Sequence, residues 1–299
     1  MKLYALKYYK DFKCIAGKCE HSCCIGWEID IDADTLKKYK KLSGGYGKAV
    51  KESISAKGTP HFKLSAEDRC PHLDENGLCR IILNLGEDYL CDICREHPRF
   101  YNFTDVAEVG LGMSCVEAAR VILASPDFAE ITEIGEVDAE PDGDPFNGRA
   151  LRGEIFSILC DTQSDHTAAL KRIYQLFSVE LAEDSRYLTV LGSMEYLDAS
   201  HKELFMKYSS SLRPEGEEKS EYLKRFLAYL VYRHCTEAFD PDDFRERLAF
   251  CLFGERLLAS LTVFKKAETL SEIAALASII SEEIEYSEEN TEGLMLCRI

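Results

Sequence analysis

After residue 150, apolar residues recur at intervals of three and four along most of the chain. This spacing is typical of amphipathic helices, in which one face packs on a core and the other meets water. No internal repeat and no alternation of strand with helix interrupts it, so residues 150–299 are predicted to be all-helical. The pattern predicts helices around Ile155–Leu159, Leu170–Phe177, Tyr222–Tyr232, Phe244–Phe264 and Thr269–Ile284.

Before residue 130 the apolar positions form shorter runs that are separated by loops. A capped helix is predicted to begin at Asp32, with Leu36 and Tyr39 on its apolar side. The glycine-rich segment 44–47 follows that helix and is predicted to be its C-cap and turn rather than a cofactor loop. A second helix is predicted after Ser114, which we expect to be its N-cap.

Cysteines are concentrated in this first part of the chain: nine of the thirteen lie before residue 116, and Cys14, Cys19, Cys23 and Cys24 fall within eleven residues. Thiolates at this density are either disulfide-bonded or bound to a soft metal centre. No secretory signal follows the cationic N-terminus, and no stretch approaches the roughly 18 apolar residues of a membrane helix. We therefore expect a cytoplasmic protein that binds no membrane, in which metal ligation is favoured over disulfides.

The spacing of the cysteines limits the kind of metal centre. The side chains of Cys23 and Cys24 point in different directions, so binding of both to one zinc ion would strain the backbone. Two irons of a cluster or two separate centres would accommodate the pair. Burial of one of the two cysteines is an equal alternative. The C-x3-C-x2-C motif of radical S-adenosylmethionine enzymes is absent. A second set of cysteines, sufficient for zinc or for an iron–sulfur cluster, follows as Cys70, Cys79, Cys91, Cys94 and Cys115.

Residues 130–149 combine glycine, proline and aspartate without sustained periodicity, which indicates an acidic linker or a long surface loop. We therefore predict a cysteine-rich domain over residues 1–129, the linker, and a helical domain over residues 150–299. The expected fold class is mainly α. A metal-stabilised N-terminal domain of short helices and loops is followed by an all-helical C-terminal domain.

The charge of the chain is divided unevenly. Residues 1–125 carry 18 positive and 18 negative side chains, whereas residues 126–299 carry 18 positive and 35 negative ones, which accounts for the formal net charge of −17. An acidic surface aids solubility, and it also attracts a cationic partner such as a lysine side chain or a sulfonium cofactor. Nucleic acid is disfavoured as a partner, because phosphate binding requires a basic surface.

Four blocks, CIAGKCEHSCCIGWEIDID, CPHLDENGLCRI, CDICREHPRF and SCVEAAR, resemble in this order the CxxCxxCC-type proteins called flagellin lysine-N-methylases. The resemblance covers residues 4–125 and, more loosely, FLAYLVYRH at 226–234. It implies methyl transfer from S-adenosylmethionine to lysines of flagellin or another lysine-bearing protein, and an iron–sulfur cluster, 4Fe-4S in type. The cysteines that match the family pattern are Cys14, Cys19, Cys23, Cys24, Cys70, Cys79, Cys94 and Cys115.

Cys91 stands where the family pattern has no cysteine, so the resemblance treats it as an extra. Broader relatives with this cysteine pattern are described as metal-chelating proteins. The alternative function is therefore a non-catalytic zinc- or iron-binding protein.

No residue is identified as the catalytic proton acceptor. Four residues are candidates for cofactor binding. Trp27 would stack on an adenine or form a wall beside the metal, and Arg99 would bind a carboxylate, unless its polar block only pairs with the nearby acids Glu87, Asp88 and Asp92. Gly110 and Gly112 would approach a ligand or form a plain turn. His21 and His72 lie beside cysteines and are expected to support them rather than to ligate. The remaining cysteines are expected to be buried as small apolar residues: Cys160, Cys235, Cys251 and Cys297.

Overall fold

The computed structural model describes residues 1–140 and 146–297. The chain forms two compact units: residues 13–98 form the smaller one, and residues 1–12 together with 99–299 form the larger one. The α-helices are α1 (Ala33–Lys40), α2 (Gly44–Ser53), α3 (Arg80–Leu85), α4 (Asp92–Glu96), α5 (Val116–Ala124), α6 (Gly148–Leu159), α7 (His166–Phe177), α8 (Asp184–Ser193), α9 (Ala199–Phe205), α10 (Glu217–His234), α11 (Pro241–Lys265), α12 (Leu270–Ile280) and α13 (Glu288–Met295). The β-strands are β1 (Lys2–Leu6), β2 (Ile54–Ser55), β3 (His61–Phe62), β4 (Arg99–Phe103), β5 (Ala107–Leu111) and β6 (Ile131–Glu136). The prediction of a mainly α fold is confirmed.

The larger unit has a helical core around α10 and α11. Helix α10 is buried on nearly all sides between Tyr222 and Tyr232. Helix α11 begins after Asp240, whose carboxylate accepts hydrogen bonds from the backbone N–H groups of Asp242 and Asp243. A capping box of Thr269 and Glu272 begins α12. The five helices predicted from apolar spacing are present as α6, α7, α10, α11 and α12. None of the helices in the described ranges combines the length and the apolar character that crossing a bilayer requires.

A four-stranded sheet, which the apolar pattern does not predict, belongs to the same unit. Its strand order is β4-β5-β1-β6, with β1 parallel to β5 and antiparallel to β6. On β5, Glu108 forms a buried ion pair with Arg152, with 2.6 Å between Oε2 and Nη1. A Cβ atom on Gly110 would lie 2.2 Å from the ring of Phe100, so only glycine fits there. Gly110 belongs to strand β5, so it does not form the plain turn that is one of its two predicted roles.

The smaller unit consists of short elements around a small core. Helix α1 begins after Asp32, whose carboxylate accepts a hydrogen bond of 2.8 Å from the backbone N–H of Thr35, as predicted. Helix α2 begins at Gly44, whose φ of +82° lies in the region that favours glycine. The glycine-rich segment therefore begins a helix and does not close α1. The buried core residues of this unit are Ile29, Ile31, Tyr39, Val50, Phe62, Cys70, Ile81 and Cys91.

Two further local predictions differ from the structure. Part of the predicted linker 130–149 is strand β6, which is mostly exposed and therefore shows no apolar period. Residues 141–145 of that linker lie outside the described residues. The predicted helix after Ser114 is present as α5, but its N-cap position is Cys115, and the Ser114 hydroxyl makes no hydrogen bond within the described part of the chain. The division into domains at 129 and 150 stays a prediction.

Candidate metal centre

Five cysteines of the smaller unit converge on its core: Cys24, Cys70, Cys79, Cys91 and Cys94. The backbone N–H of Cys70 donates to the carbonyl oxygen of Cys24 at 2.8 Å, which joins two distant segments of the chain. Cys79 and Cys91 occupy the positions just before α3 and α4, and Cys94 lies within α4. The fold therefore gathers thiols that the sequence separates by up to seventy residues.

Hydrogen bonds and burial give these thiols different acidities. The Cys94 thiol donates to Cys91, which lowers the pKa of Cys91 and raises the pKa of Cys94. Burial raises the pKa of Cys70 to about 11. The hydroxyl of Tyr39 donates to the carbonyl oxygen of Tyr89 at 2.6 Å and lies 3.6 Å from the Cys91 sulfur. Because a bound cation favours thiolates over thiols, this set of sulfurs fits a soft metal.

The spacing of the sulfurs differs from that of a preformed zinc site. Around tetrahedral zinc, with Zn–S bonds of roughly 2.3 Å, the sulfurs lie about 3.8 Å apart. Within the described ranges, no three cysteine sulfurs all lie within 4.8 Å of one another. A polynuclear iron–sulfur cluster separates its cysteine sulfurs more widely, since each sulfur binds a different iron. The close sulfur spacing found around a bound zinc ion is therefore not present among the cysteines of the described ranges.

Cys91 lies inside this cluster, although the family resemblance leaves it out. Its side chain is 1% exposed, and its sulfur interacts with that of Cys94. Residues three apart on a helix are neighbours on one face, so the C-x2-C spacing is the signal that identifies the pair. This spacing is visible in the sequence, but the family pattern has no cysteine at position 91 and so does not include the pair.

The N-terminal cysteines Cys14, Cys19 and Cys23 lie on a more exposed segment. The Cys19 thiol donates to the backbone carbonyl two residues later, at 2.7 Å. A hydrogen bond with Cys24 raises the pKa of Cys23, so Cys23 contacts the cluster through its neighbour. Cys115 belongs to the larger unit, at the N-cap position of α5. The structure thus gathers four of the eight family-matched cysteines and adds Cys91.

A glycine holds the exposed cysteine segment against the turn that precedes Cys79. A Cβ atom on Gly17 would lie 2.6 Å from the carbonyl oxygen of Asn76, so this close approach requires glycine. The turn itself is fixed by Asp74, whose carboxylate accepts hydrogen bonds of 2.8 Å from the backbone N–H groups of Asn76 and Leu78. Backbone packing therefore brings the first cysteine block beside the second.

His72 has protein partners on both ring nitrogens. Its Nδ1 lies 3.1 Å from the hydroxyl of Tyr46, and its Nε2 lies 2.9 Å from the hydroxyl of Ser53. Burial, together with the nearby Arg80 guanidinium, lowers the pKa of His72 to about 4. A neutral imidazole held from both sides supports the fold next to Cys70, and both of its partners are hydroxyl groups rather than cysteine sulfurs.

The four candidate cofactor residues are distributed over both units. Trp27 lies half-buried in the smaller unit, whereas Arg99, Gly110 and Gly112 belong to the larger one. The Nε of Arg99 donates to the hydroxyl of Tyr9 at 2.9 Å, and its guanidinium lies over the same ring. Their role in cofactor binding stays a prediction.

The larger unit contains a buried polar network around Glu285, which sequence reasoning missed. The Glu285 carboxylate accepts hydrogen bonds of 2.7 Å from the Tyr229 hydroxyl and from Nε2 of His234, and lies 3.3 Å from Nε of Arg233. Burial opposes ionisation of Glu285, but Arg233 and His234 outweigh it and lower its pKa to about 2. The signal in the sequence is the Arg-His pair that ends the aromatic run of α10.

This network also holds the segment that leads into α5. The hydroxyl of Tyr229 accepts a hydrogen bond of 3.1 Å from the backbone N–H of Met113. Ser278 donates to the carbonyl oxygen of Ser114 at 3.0 Å. Glu285 ends a π-helical turn, Ser281–Glu285, a feature that is frequent at functional sites. The network thereby fixes the backbone on the N-terminal side of Cys115.

Comparison with known proteins relates the chain to proteins of Salmonella. It is 32% identical over 130 residues to the lysine-N-methylase of Salmonella typhimurium strain LT2, which is 41% of this chain and 32% of that protein. The lysine-N-methylase of Salmonella choleraesuis gives the same values. The flagellar biosynthetic protein FliU of Salmonella muenchen is also 32% identical over 130 residues, which is 41% of this chain and 77% of FliU. No protein-family model and no solved structure matches the chain.

The fold and the cysteine cluster define a mainly α protein with a cysteine-rich unit and a larger helical unit. The identity to FliU extends over more than two thirds of that protein. The chain therefore belongs to the flagellin lysine-N-methylase family, as the resemblance of its cysteine blocks predicts. It spans about a third of the length of the two lysine-N-methylases, 32% in each case.

Proposed function

We propose that this protein is a protein-lysine N-methyltransferase that uses S-adenosylmethionine to methylate flagellin, and that its smaller unit holds an iron–sulfur cluster. The relationship to proteins named lysine-N-methylase supports methyl transfer, and the name of FliU supports a flagellar substrate. The single observation that carries the metal part of the proposal is the convergence of soft sulfur donors in the core of residues 13–98.

Four cysteines are proposed as ligands, because they match the family pattern and also lie in the cluster: Cys24, Cys70, Cys79 and Cys94. Four thiolates are the number that a 4Fe-4S cluster takes. Cys91 is proposed to orient Cys94 through their hydrogen bond rather than to bind iron. With each iron bound to a cysteine, the cluster would stabilise the fold of the smaller unit rather than bind the cofactor directly.

The proposed reaction is a displacement at the methyl carbon. The neutral amine of the substrate lysine forms the new N–C bond while the C–S bond breaks, and the sulfur leaves with its electron pair as a neutral thioether. The lysine ammonium must first lose its proton to a base, and the nitrogen, the methyl carbon and the sulfur must be aligned. The acidic residues 126–299 favour the approach of a cationic lysine side chain.

Anaerobic purification followed by iron, sulfide and zinc analysis tests the metal part, and mass spectrometry of flagellin lysines after incubation with S-adenosylmethionine tests the activity. We expect four irons per chain and methylated lysines. Cys70→Ser should lose both, whereas the control Cys160→Ser, at an exposed cysteine of the larger unit, should retain both. A colourless protein with one zinc per chain would contradict the iron assignment, and an iron-loaded protein that leaves flagellin unmethylated would contradict the methyl transfer.

The second candidate function is non-catalytic metal binding. The observation that favours it is the thiol cluster itself, whose soft sulfur donors would bind a metal without any further catalytic group. Isothermal titration of the iron-loaded protein with S-adenosylmethionine separates the two functions. Binding in the micromolar range is expected for the methyltransferase, and an absence of binding heat would favour the metal-binding function.

A further inference from the structure

Apart from the cysteines, the smaller unit carries a second group of metal-ligating side chains: Glu28, Asp30 and His61. Each offers one ligand atom, and these atoms all lie within 4.8 Å of one another. Within residues 1–140 and 146–297 no other set of three or more histidine, cysteine or carboxylate side chains meets this distance. The group is a mixed nitrogen and oxygen donor set, which differs chemically from the thiol cluster.

The backbone register places the three side chains on one face. Asp30 and His61 are directly opposite each other in an antiparallel bridge. Hydrogen bonds from Ile31 N to Pro60 O, 2.7 Å, and from Phe62 N to Ile29 O, 3.0 Å, flank that bridge. Side chains alternate between the two faces of paired extended segments, so Glu28 lies on the same face as Asp30.

The opposite face of this ribbon is anchored in the core. Ile29 is 5% exposed, Ile31 3% and Phe62 1%, and all three belong to the buried cluster of this unit. Their burial fixes which face of the ribbon meets solvent. The three ligands are therefore held on the solvent face by the packing of their neighbours, and a one-residue slip of the register would destroy both arrangements.

The hydrogen bonding of His61 leaves one nitrogen ready to coordinate. Its Nδ1 lies 2.8 Å from the carbonyl oxygen of Thr59, so Nδ1–H donates to that carbonyl. The lone pair is then on Nε2, whereas Nδ1 is the ring atom that lies 3.5 Å from Oε1 of Glu28, so the exposed Glu28 side chain has to move towards Nε2 to share a cation with it. Metal-binding histidines almost always donate their other N–H to a carbonyl or carboxylate in this way.

The charges of the group are not balanced by a basic side chain. In the described part of the chain Asp30 forms no ion pair, and Glu28 approaches only the His61 imidazole, with 3.5 Å between Oε1 and Nδ1. Two carboxylates held together on one face repel each other unless a cation lies between them. A bound divalent cation would relieve this repulsion.

We propose that Glu28, Asp30 and His61 form a binding site for a first-row divalent cation of the Mn²⁺ and Zn²⁺ class, with water in the remaining positions. Imidazole and carboxylate suit these ions, and a three-ligand site leaves open positions. With metal–ligand bonds of roughly 2.1 Å the ligand atoms would be about 3.3 Å apart, so exposed side chains need to close by only one or two ångströms. This site is separate from the proposed methyltransferase chemistry.

Electron paramagnetic resonance of Mn²⁺ titrated into the full-length, iron-loaded protein tests the proposal. Mn²⁺ prefers carboxylate and imidazole to thiolate, so it distinguishes this site from the cysteine cluster. We expect one Mn²⁺ per chain, and at least tenfold weaker binding in the double variant Glu28→Gln/Asp30→Asn and in His61→Gln. The control Glu52→Gln/Glu75→Gln removes the same charge from exposed positions of the unit and should bind as the wild type does.

The iron content of each variant, measured in the same samples, shows whether the smaller unit is intact. Wild-type iron content together with lost Mn²⁺ binding supports the site. Unchanged Mn²⁺ affinity in both site variants overturns it, as does the absence of Mn²⁺ and Zn²⁺ binding by the wild type. Iron content and flagellin methylation are read separately, so failure of this site leaves the methyltransferase proposal untouched.

Discussion

The two compact units of this chain use different means to stabilise a fold. The larger unit buries long helical faces, and α11 is buried almost continuously from Phe250 to Thr262. The smaller unit, residues 13–98, has short elements, and two of its eight buried core residues are cysteines. Each buried apolar side chain contributes roughly 1.5–3 kcal/mol, so a core of this size leaves little margin over chain entropy. We therefore expect the smaller unit, and not the larger one, to depend on its metal.

Metal removal should produce the largest difference in stability between the two units. Structural zinc contributes on the order of 10–16 kcal/mol to the folding of zinc-finger peptides, because the unfolded chain has no preformed site, and we expect a large contribution here for the same reason. After anaerobic chelation we expect amides of α1 and α4 to lose protection from hydrogen exchange by several orders of magnitude. Amides of α10 and α11 should keep theirs. Full protection of α1 in the metal-free protein would show that the smaller core suffices alone.

A core truncation in α11 should have the complementary effect. Leu258 is 0% exposed, so Leu258→Ala should destabilise the larger unit by about 2–5 kcal/mol through lost burial and a cavity. The control Leu176→Ala, at a residue that is 55% exposed, should change stability by about 0.5 kcal/mol or less. Chemical denaturation measures the stability of both variants, and metal analysis of the native samples measures their metal content. A loss of metal in Leu258→Ala under native conditions would contradict the expectation that this truncation affects only the larger unit.

Acid should weaken the larger unit through Glu285. Its pKa is lowered from 4.5 to about 2 in the folded state, so between these values the unfolded chain binds more protons than the folded one. The stabilisation is complete above about pH 4.5 and is lost as the pH falls towards 2. Unfolding free energies measured across this range should fall less steeply for Glu285→Gln than for the wild type. The exposed control Glu289→Gln should follow the wild-type slope.

The smallest expected effect is at the capping box of α12. Thr269→Ala removes the side-chain acceptor for the backbone N–H of Glu272, which should reduce stability by about 1 kcal/mol. Thr269→Ser keeps the hydroxyl and should restore most of that loss. Thermal unfolding of the larger unit is the measurement. Equal melting temperatures for the alanine and serine variants would mean that the cap contributes nothing measurable.

The helices were predictable from sequence because each leaves a local signal. The three- and four-residue spacing of apolar positions and caps such as Asp32, Asp240 and Thr269 are readable within a few residues. The sheet was not predictable, because β1 pairs in parallel with β5 across about a hundred residues. Strand β5 is buried along its whole length, so its sequence lacks the alternation that marks a half-exposed strand.

The same difference between local signals and long-range pairing applies to the candidate sites. Sequence identified the thiols but not which of them meet, since the meeting of Cys24 with Cys70 depends on long-range backbone pairing. The C-x2-C spacing of Cys91 and Cys94 was visible, and only the structure shows that both belong to the cluster. Glu28 and Asp30 lie within the first block of the family resemblance, but nothing in the sequence relates them to His61. Their proximity arises from the register that the buried residues Ile29, Ile31 and Phe62 impose.

We propose that the thiols gathered in residues 13–98 hold an iron centre and that methyl transfer depends on it. Iron content and flagellin lysine methylation measured together, in anaerobic wild type and in Cys94→Ser, test this claim most directly. We predict four irons per chain and methylated flagellin for the wild type, and the loss of both in Cys94→Ser. Full methylation by an iron-free Cys94→Ser protein would contradict the claim.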